Sequence, residues 1–157
     1  MGQGSGEISL RPATLDDLPA IEALLAAYRL PSVELDRWIE HVVAAERGGR
    51  LVGCGGLEVY TEDACGLVRS MAVEDELRAS GLGTRILTWA FDHARELGLT
   101  RVFLFTVGAR EFYLRFGFED ATLEDFPPSA RASFQYRFVA EHGDEWGIKA
   151  LARDLEV

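Results

Sequence analysis

Six consecutive residues, Arg78-Ala79-Ser80-Gly81-Leu82-Gly83, read R-x-x-G-x-G and lie between an extended apolar run (residues 67–73) and a stretch of helical character (residues 84–97). Glycine lacks Cβ and takes positive φ, so successive backbone N–H groups in such a loop can converge on one point. The unpaired first-turn N–H groups of a following helix, with the positive end of its dipole, reinforce that field. The chemistry this suits is capture of a phosphate or pyrophosphate; the alternative is a plain strand-to-helix turn. Spacing sorts the phosphate loops. A Walker loop needs Gly-Lys-Ser/Thr, and no lysine follows Gly83; a dinucleotide fingerprint needs a third glycine, which is missing. Glu58 and Arg69 also stand out, as charges inside apolar strand runs. A charge there either points to solvent or lines a cleft. His41, His93 and His142 share no metal-ligand spacing, so no metal site is expected.

Periodicity supplies the elements that must hold these residues. Residues 7–12 read as a short edge-like strand. Thr14 with Asp17 three residues on is a capping box, opening an amphipathic helix through Ala27 with Leu15, Leu18, Ile21, Leu24 and Leu25 on its apolar face. Pro31-Ser32 restarts a second helix over residues 33–40. Strands over residues 42–46 and 51–60 flank Gly48-Gly49, a hairpin signal. A turn at residues 61–63 returns the chain as a strand over residues 64–73. The loop, the helix over residues 84–97, a strand over residues 101–106 and a helix bearing Tyr113 follow, with more strand after Phe118 and around residues 134–139. Three meandering strands followed by β-α-β predict an α/β (α+β) fold, a mixed central sheet of six to seven strands flanked by about four helices. Residues 1–6 read as a flexible lead-in, 7–140 as one domain, and 141–157 as an acidic, glycine-punctuated tail whose long apolar anchor, Trp146, is expected to dock on the domain or on a second subunit.

The chain has 157 residues, 48% of them hydrophobic, which suits a single domain with a sizeable core. No apolar run approaches the ~20 residues a membrane helix needs. The net charge of −10 argues against nucleic acid or an anionic membrane as partner. It opposes an anionic ligand too, so a phosphate must be held locally, by the backbone cradle with Arg78 and Arg85. Lys149 is the one lysine among 16 basic residues, an arginine bias that fits a GC-rich genome or a salt-loving source. Cys54 and Cys65 are too few for a disulfide framework and no secretory leader is visible, so the expectation is a reduced, cytoplasmic setting.

The loop resembles the pyrophosphate loop of the GNAT superfamily, the Gcn5-related N-acetyltransferases. The family's second signature, Tyr-x-x-x-Gly-Phe, stands at Tyr113-Leu114-Arg115-Phe116-Gly117-Phe118, in the family's order and spacing. The resemblance implies a GNAT fold split between its fourth and fifth strands. It implies acetyl-CoA as co-substrate and direct transfer of acetyl to an amine. Carried over by position, Arg78, Ala79, Ser80, Gly81, Leu82, Gly83 and Thr84 hold the pyrophosphate. The main chain of Met71, Ala72 and Val73 pairs with the pantetheine arm and polarises the thioester. Tyr113 matches the tyrosine near the CoA sulfur, where its phenol protonates the leaving thiolate. The loop departs from the family in having Ala79 and Ser80 where bulky basic residues are usual, so phosphate binding leans on backbone.

Within that frame Arg69 is expected to clamp a substrate carboxylate while Glu58 attracts the amine and serves as base, directly or through water, an arrangement that suits a free α-amino acid. The stretches Gly56-Leu57-Glu58, Leu67 to Val73 and Leu123 to Arg131 are similar to a GNAT branch of amino-acid N-acetyltransferases found with arsenic-resistance genes. They are also similar to the acetyltransferase domain of N-acetylglutamate synthase. A small amine acceptor, and a monomer or homodimer, are therefore expected. The alternatives are a peptide N-acetyltransferase and a CoA-binding sensor without catalysis. Acceptor loops are expected at residues 30–38 and 126–134.

Overall fold

The computed structural model describes residues 7–156; the lead-in expected at residues 1–6 lies outside them. The strands are β1 (Ser9–Pro12), β2 (Val42–Arg47), β3 (Arg50–Tyr60), β4 (Cys65–Val73), β5 (Arg101–Thr106), β6 (Glu119–Ala121) and β7 (Lys149–Asp154). The α-helices are α1 (Leu18–Ala27), α2 (Leu82–Glu96), α3 (Arg110–Leu114) and α4 (Phe134–Trp146). The strands form one mixed sheet in the order β1-β2-β3-β4-β5-β7-β6, as the strand and helix pattern of the sequence predicts. The residues group into two units, one running to Leu57 and resuming over Arg69–His93, the other comprising Glu58–Val68 and the chain from Ala94 onward.

In the first unit β1, β2 and β3 form an antiparallel meander, with Ser9 opposite Glu46 and Val42 opposite Gly56. Side chains alternate across a strand, so β2 feeds two cores. Val42 and Ala44 pack with Ile21 and Leu25 of α1 and with Leu35, Cys54 and Ala72. Val43 and Ala45 pack with Val52, Leu77 and, from α2, Leu82 and Ile86. Helix α2 comes very close to β3. A Cβ at Gly55 would collide with the Met71 sulfur and Ile86 Cγ2, so any larger residue there forces these side chains to move.

In the second unit β4 and β5 pair in parallel from Cys65↔Arg101 to Val68↔Leu104, where the pairing ends. β7 lies antiparallel between β5 and β6. Phe126, fully buried, stacks on Phe103 and Phe105 at centroid distances of 4.1 and 5.1 Å and anchors this core.

Several expectations are corrected. The strand expected around residues 134–139 is the start of α4: Ser133 Oγ caps it by accepting from Gln135 N, and Phe134, Phe138 and His142 recur at helical spacing. The boundary expected after residue 140 falls inside α4, and the expected tail contains β7, paired on both sides. Trp146 is 60% exposed, its ring edge-on to Phe138 at 5.6 Å. The helix expected over residues 33–40 is a 3-10 turn, Leu35–His41, entered through Glu34 at φ +58°. The Thr14 capping box closes, Thr14 N donating to Asp17 Oδ2 at 2.7 Å, but it caps a 3-10 turn ahead of α1. Leu15, expected on the apolar face, is 61% exposed for that reason.

Candidate active site

The first unit carries the loop expected to cradle an anion. After β4 the chain makes a 3-10 turn, Asp75–Leu77, and enters α2 through Arg78, Ala79, Ser80 and Gly81. Tyr28 props this loop twice. Its hydroxyl accepts from Asp75 N at 2.9 Å, and its ring lies 5.0 Å beneath the Arg78 guanidinium. An Arg50–Glu74 ion pair and a bond from Glu74 N to Val52 O at 3.0 Å tie the same segment to β3. Ser80 Oγ donates to Leu77 O at 2.6 Å and accepts from Leu82 N at 3.3 Å, fixing the turn. Gly81 sits at φ +87° with open space where a Cβ would be. Arg85 N, bonded to Gly81 O at 3.1 Å, lies one turn into α2, so the amides of Gly83 and Thr84 lie in the first turn, at the positive end of the dipole. This geometry fits a pyrophosphate: a propped loop, a glycine with no side chain in the way, and a helix terminus. Leu82 is fully buried, so it offers only its backbone.

Upstream, Ser70 in β4 adopts φ +59°, a left-handed conformation that costs a non-glycine residue about 1–2 kcal/mol. Its hydroxyl accepts from Arg69 Nε at 3.0 Å, and its carbonyl accepts from the Cys54 thiol at 3.2 Å. The side chains of Met71, Ala72 and Val73 pack into the two cores of this unit. What they offer a ligand is therefore main chain, as the resemblance implies. Arg69 is 5% exposed. The open choice for this residue is decided against solvent.

The second unit carries a carboxylate cluster. Glu58 is 2% exposed. Its Oε1 accepts from Tyr60 Oη at 2.5 Å, and its Oε2 accepts from Gln135 Nε2 at 3.2 Å. Tyr60 stands two residues on along β3, hence on the same strand face. Gln135 arrives from α4, whose misreading as strand hid it from the sequence. Tyr113, on α3, is 8% exposed, with its ring edge-on to Phe112 and to Phe118. Burial pushes its phenol up to about 12. Its hydroxyl makes no hydrogen bond among the described residues, so it is a neutral donor in reserve. Arg131, the basic residue of the Leu123–Arg131 stretch, spends its guanidinium on the carbonyls of Phe126 and Glu124, at 2.9 and 3.2 Å.

Other polar features involve residues that the sequence did not single out for the site. His41 Nδ1 and His93 Nε2 are 2.8 Å apart, a pairing their sequence separation concealed. Desolvation, then the His93 charge, holds His41 below its usual value. Among the described residues no three metal-ligating side chains cluster. A surface cavity of about 620 Å³ is lined by Arg110, Asp120, Thr122 and Lys149, none of them an expected site residue. No helix among the described residues is long and apolar enough to cross a membrane.

Comparison with known proteins points the same way. The family model for the acetyltransferase (GNAT) family matches residues 12–118. Amino-acid acetyltransferases of Ralstonia nicotianae and Neisseria meningitidis are 32% and 28% identical over 82% of the chain. The chain spans only about a third of the length of these relatives, 30% and 31%. N-acetylglutamate synthase from Neisseria gonorrhoeae, solved with coenzyme A and N-acetyl-glutamate, superposes with a TM-score of 0.80 at 28% identity, over 98% of this chain and 36% of that one. A Mycobacterium tuberculosis protein solved in complex with coenzyme A gives 0.79 at 26% identity, over 94% of this chain and 99% of that one.

Proposed function

Because the chain belongs to the acetyltransferase (GNAT) family, we propose that it transfers acetyl from acetyl-CoA to the amine of a small acceptor, a free amino acid or an amino-acid-like toxin. The observation that carries the acceptor class is the burial of two opposite charges, Glu58 and Arg69, inside strands where solvent exposure was the alternative. Burying a charge is costly, and both side chains keep protein partners that hold them in place, Tyr60 and Gln135 for Glu58 and Ser70 for Arg69. An α-amino acid presents one ammonium and one carboxylate, the chemistry a carboxylate and a guanidinium recognise. The amino-acid acetyltransferases and the N-acetylglutamate synthase that the chain resembles support the same class.

Bound acetyl-CoA supplies the acyl group as a thioester. The amides of residues 78–84 hold the pyrophosphate, with Arg78 adding charge, and the main chain of Met71, Ala72 and Val73 binds the pantetheine arm and polarises the thioester carbonyl. Arg69 takes the acceptor carboxylate in its planar fork. Glu58 accepts the proton the ammonium must lose before its nitrogen attacks. Tyr113 donates a hydrogen bond, and with it a proton, to the sulfur as the C–S bond breaks. Charge and atoms balance: nitrogen loses two protons on going from ammonium to amide, the first to Glu58 before attack and the second as the tetrahedral adduct collapses. One proton reaches sulfur from Tyr113, the second nitrogen proton restores that phenol, and the proton on Glu58 is the one released net.

The test is release of CoA thiol from acetyl-CoA across amino acids, polyamines and basic peptides, with a no-acceptor blank. Turnover with glutamate, or with another acidic or phosphinic amino acid, supports the proposal. Turnover confined to peptides, or CoA binding without turnover on any acceptor, overturns it.

A further inference from the structure

A base that takes a proton at every turnover must return it to water, and Glu58 has almost no surface of its own. Two of the partners of its oxygens are unlike. Oε2 faces the Gln135 amide, which only donates through that nitrogen and has no proton position to fill. Oε1 faces the Tyr60 hydroxyl at 2.5 Å, a group that both donates and accepts. Tyr60 is half-buried, packed against the Phe103–Phe126 core on one side.

Resting on the reading of Glu58 as base, we propose that Tyr60 is the proton outlet of Glu58 and that Gln135 is a positioning residue that keeps Oε1 aimed at it. In the resting state Tyr60 Oη–H donates to Oε1 and Gln135 donates to Oε2. After the acceptor amine gives its proton to the carboxylate, Tyr60 turns its own O–H toward a solvent water. Tyr60 Oη then accepts the carboxyl proton from Oε1 while its original proton passes to the water. Glu58 is again a carboxylate, Tyr60 again a neutral phenol, and solvent has gained the proton. Without Gln135 one of the bonds that fix the carboxylate is gone, and Oε1 is less firmly aimed at the outlet.

The experiment is steady-state kinetics of the full chain with acetyl-CoA and L-glutamate at fixed pH, in low buffer and then with rising imidazole. Tyr60→Phe is expected to lower kcat at low buffer at least about ten-fold, with the KM for acetyl-CoA unchanged, and imidazole restores kcat by carrying the proton that Tyr60 no longer can. Gln135→Leu is expected to lower kcat several-fold with no restoration by imidazole, because aim rather than transport is lost. A Tyr60→Phe enzyme with native kcat in low buffer, or a loss that imidazole leaves untouched, overturns the outlet. Should Tyr60→Phe fail to fold, a proton inventory on the native enzyme in mixed H2O/D2O decides: a bowed dependence of kcat on deuterium fraction supports a multi-proton relay, a linear one overturns it. Glu58→Gln separates the two levels of the argument. If that variant keeps native activity the base assignment itself falls; if it is inactive while Tyr60→Phe is native, only the outlet falls.

Discussion

Replacing Tyr113 with Phe removes one oxygen whose only assigned task is chemical. The ring contacts with Phe112 and Phe118 are kept, and the hydroxyl has no hydrogen-bond partner among the described residues to lose. Removing a largely buried, unbonded hydroxyl is close to neutral for folding, so the stability change should stay within about 0.5 kcal/mol. The catalytic effect is bounded by acidity. With the phenol at about 12 and a thiol near 8.5, full proton transfer to a free thiolate is uphill by about 3.5 pH units, on the order of 5 kcal/mol. Tyr113 therefore works chiefly as a hydrogen-bond donor to the developing thiolate, the proton moving late. The loss in kcat should lie near the low end for general acids, about 10²-fold, or roughly 2.7 kcal/mol. The sign of the pH dependence follows. The raised phenol stays neutral and competent below about pH 11, so Tyr113 contributes no fall in kcat between pH 7 and 10. A thiol-reactive dye reads CoA release directly. Cys54 and Cys65 do not compete, since both are buried and burial pushes them to about 12 and about 11. A Phe variant with native kcat refutes the donor role. A fall in native kcat near pH 9–10 that disappears in the variant refutes the burial argument.

Arg69→Lys keeps the charge but loses the planar fork, and is expected to raise the KM for glutamate about ten-fold with a smaller change in kcat; an unchanged KM removes Arg69 from the acceptor site. Gly81→Ala forces a side chain to φ +87° at a cost of roughly 1 kcal/mol, and isothermal titration should show weakened CoA binding while the KM for the acceptor holds. Gly55→Ala should destabilise by about 1–3 kcal/mol in urea unfolding, because the Met71 sulfur and Ile86 Cγ2 occupy the space its Cβ needs. Hydrogen bonds from the Arg11 guanidinium hold the Asp17 carboxyl down at about 2, from a usual 3.8. A depressed carboxyl stabilises the fold above pH 4 and loses that contribution as pH falls through 2. Asp17→Asn should therefore cost about 1 kcal/mol at pH 7, after solvent screening, and the gap to the native protein in urea midpoints should close toward pH 2; a gap that widens on acidification contradicts the assignment.

The local signals in this chain were legible because they depend on residues near one another in sequence. Gly81 before an amphipathic stretch specifies the loop and α2, Gly48-Gly49 specifies the β2–β3 turn, and the unbroken apolar run Val42-Val43-Ala44-Ala45 suits a strand buried on both faces. The cradle follows from these, since its donors are the backbone itself. Where local preference and packing disagreed, the sequence misled. Residues 134–139 are rich in aromatics that favour strands, but the Ser133 cap and contacts at helical spacing hold them as α4. Residues 149–154 look like part of a polar tail until β5 and β6 supply a partner on each side.

The sequence by itself determined the family, and it marked the loop of residues 78–84, Tyr113, Glu58 and Arg69 as candidates. Tertiary structure alone decided that Glu58 and Arg69 are buried, that Ser70 holds a left-handed backbone, and that Gln135, 77 residues from Glu58, reaches its carboxylate. The physical reason is one of range. Turn chemistry, capping and periodicity are properties of a few neighbouring residues, whereas burial and side-chain partners are set by which distant segments the closed core brings into contact.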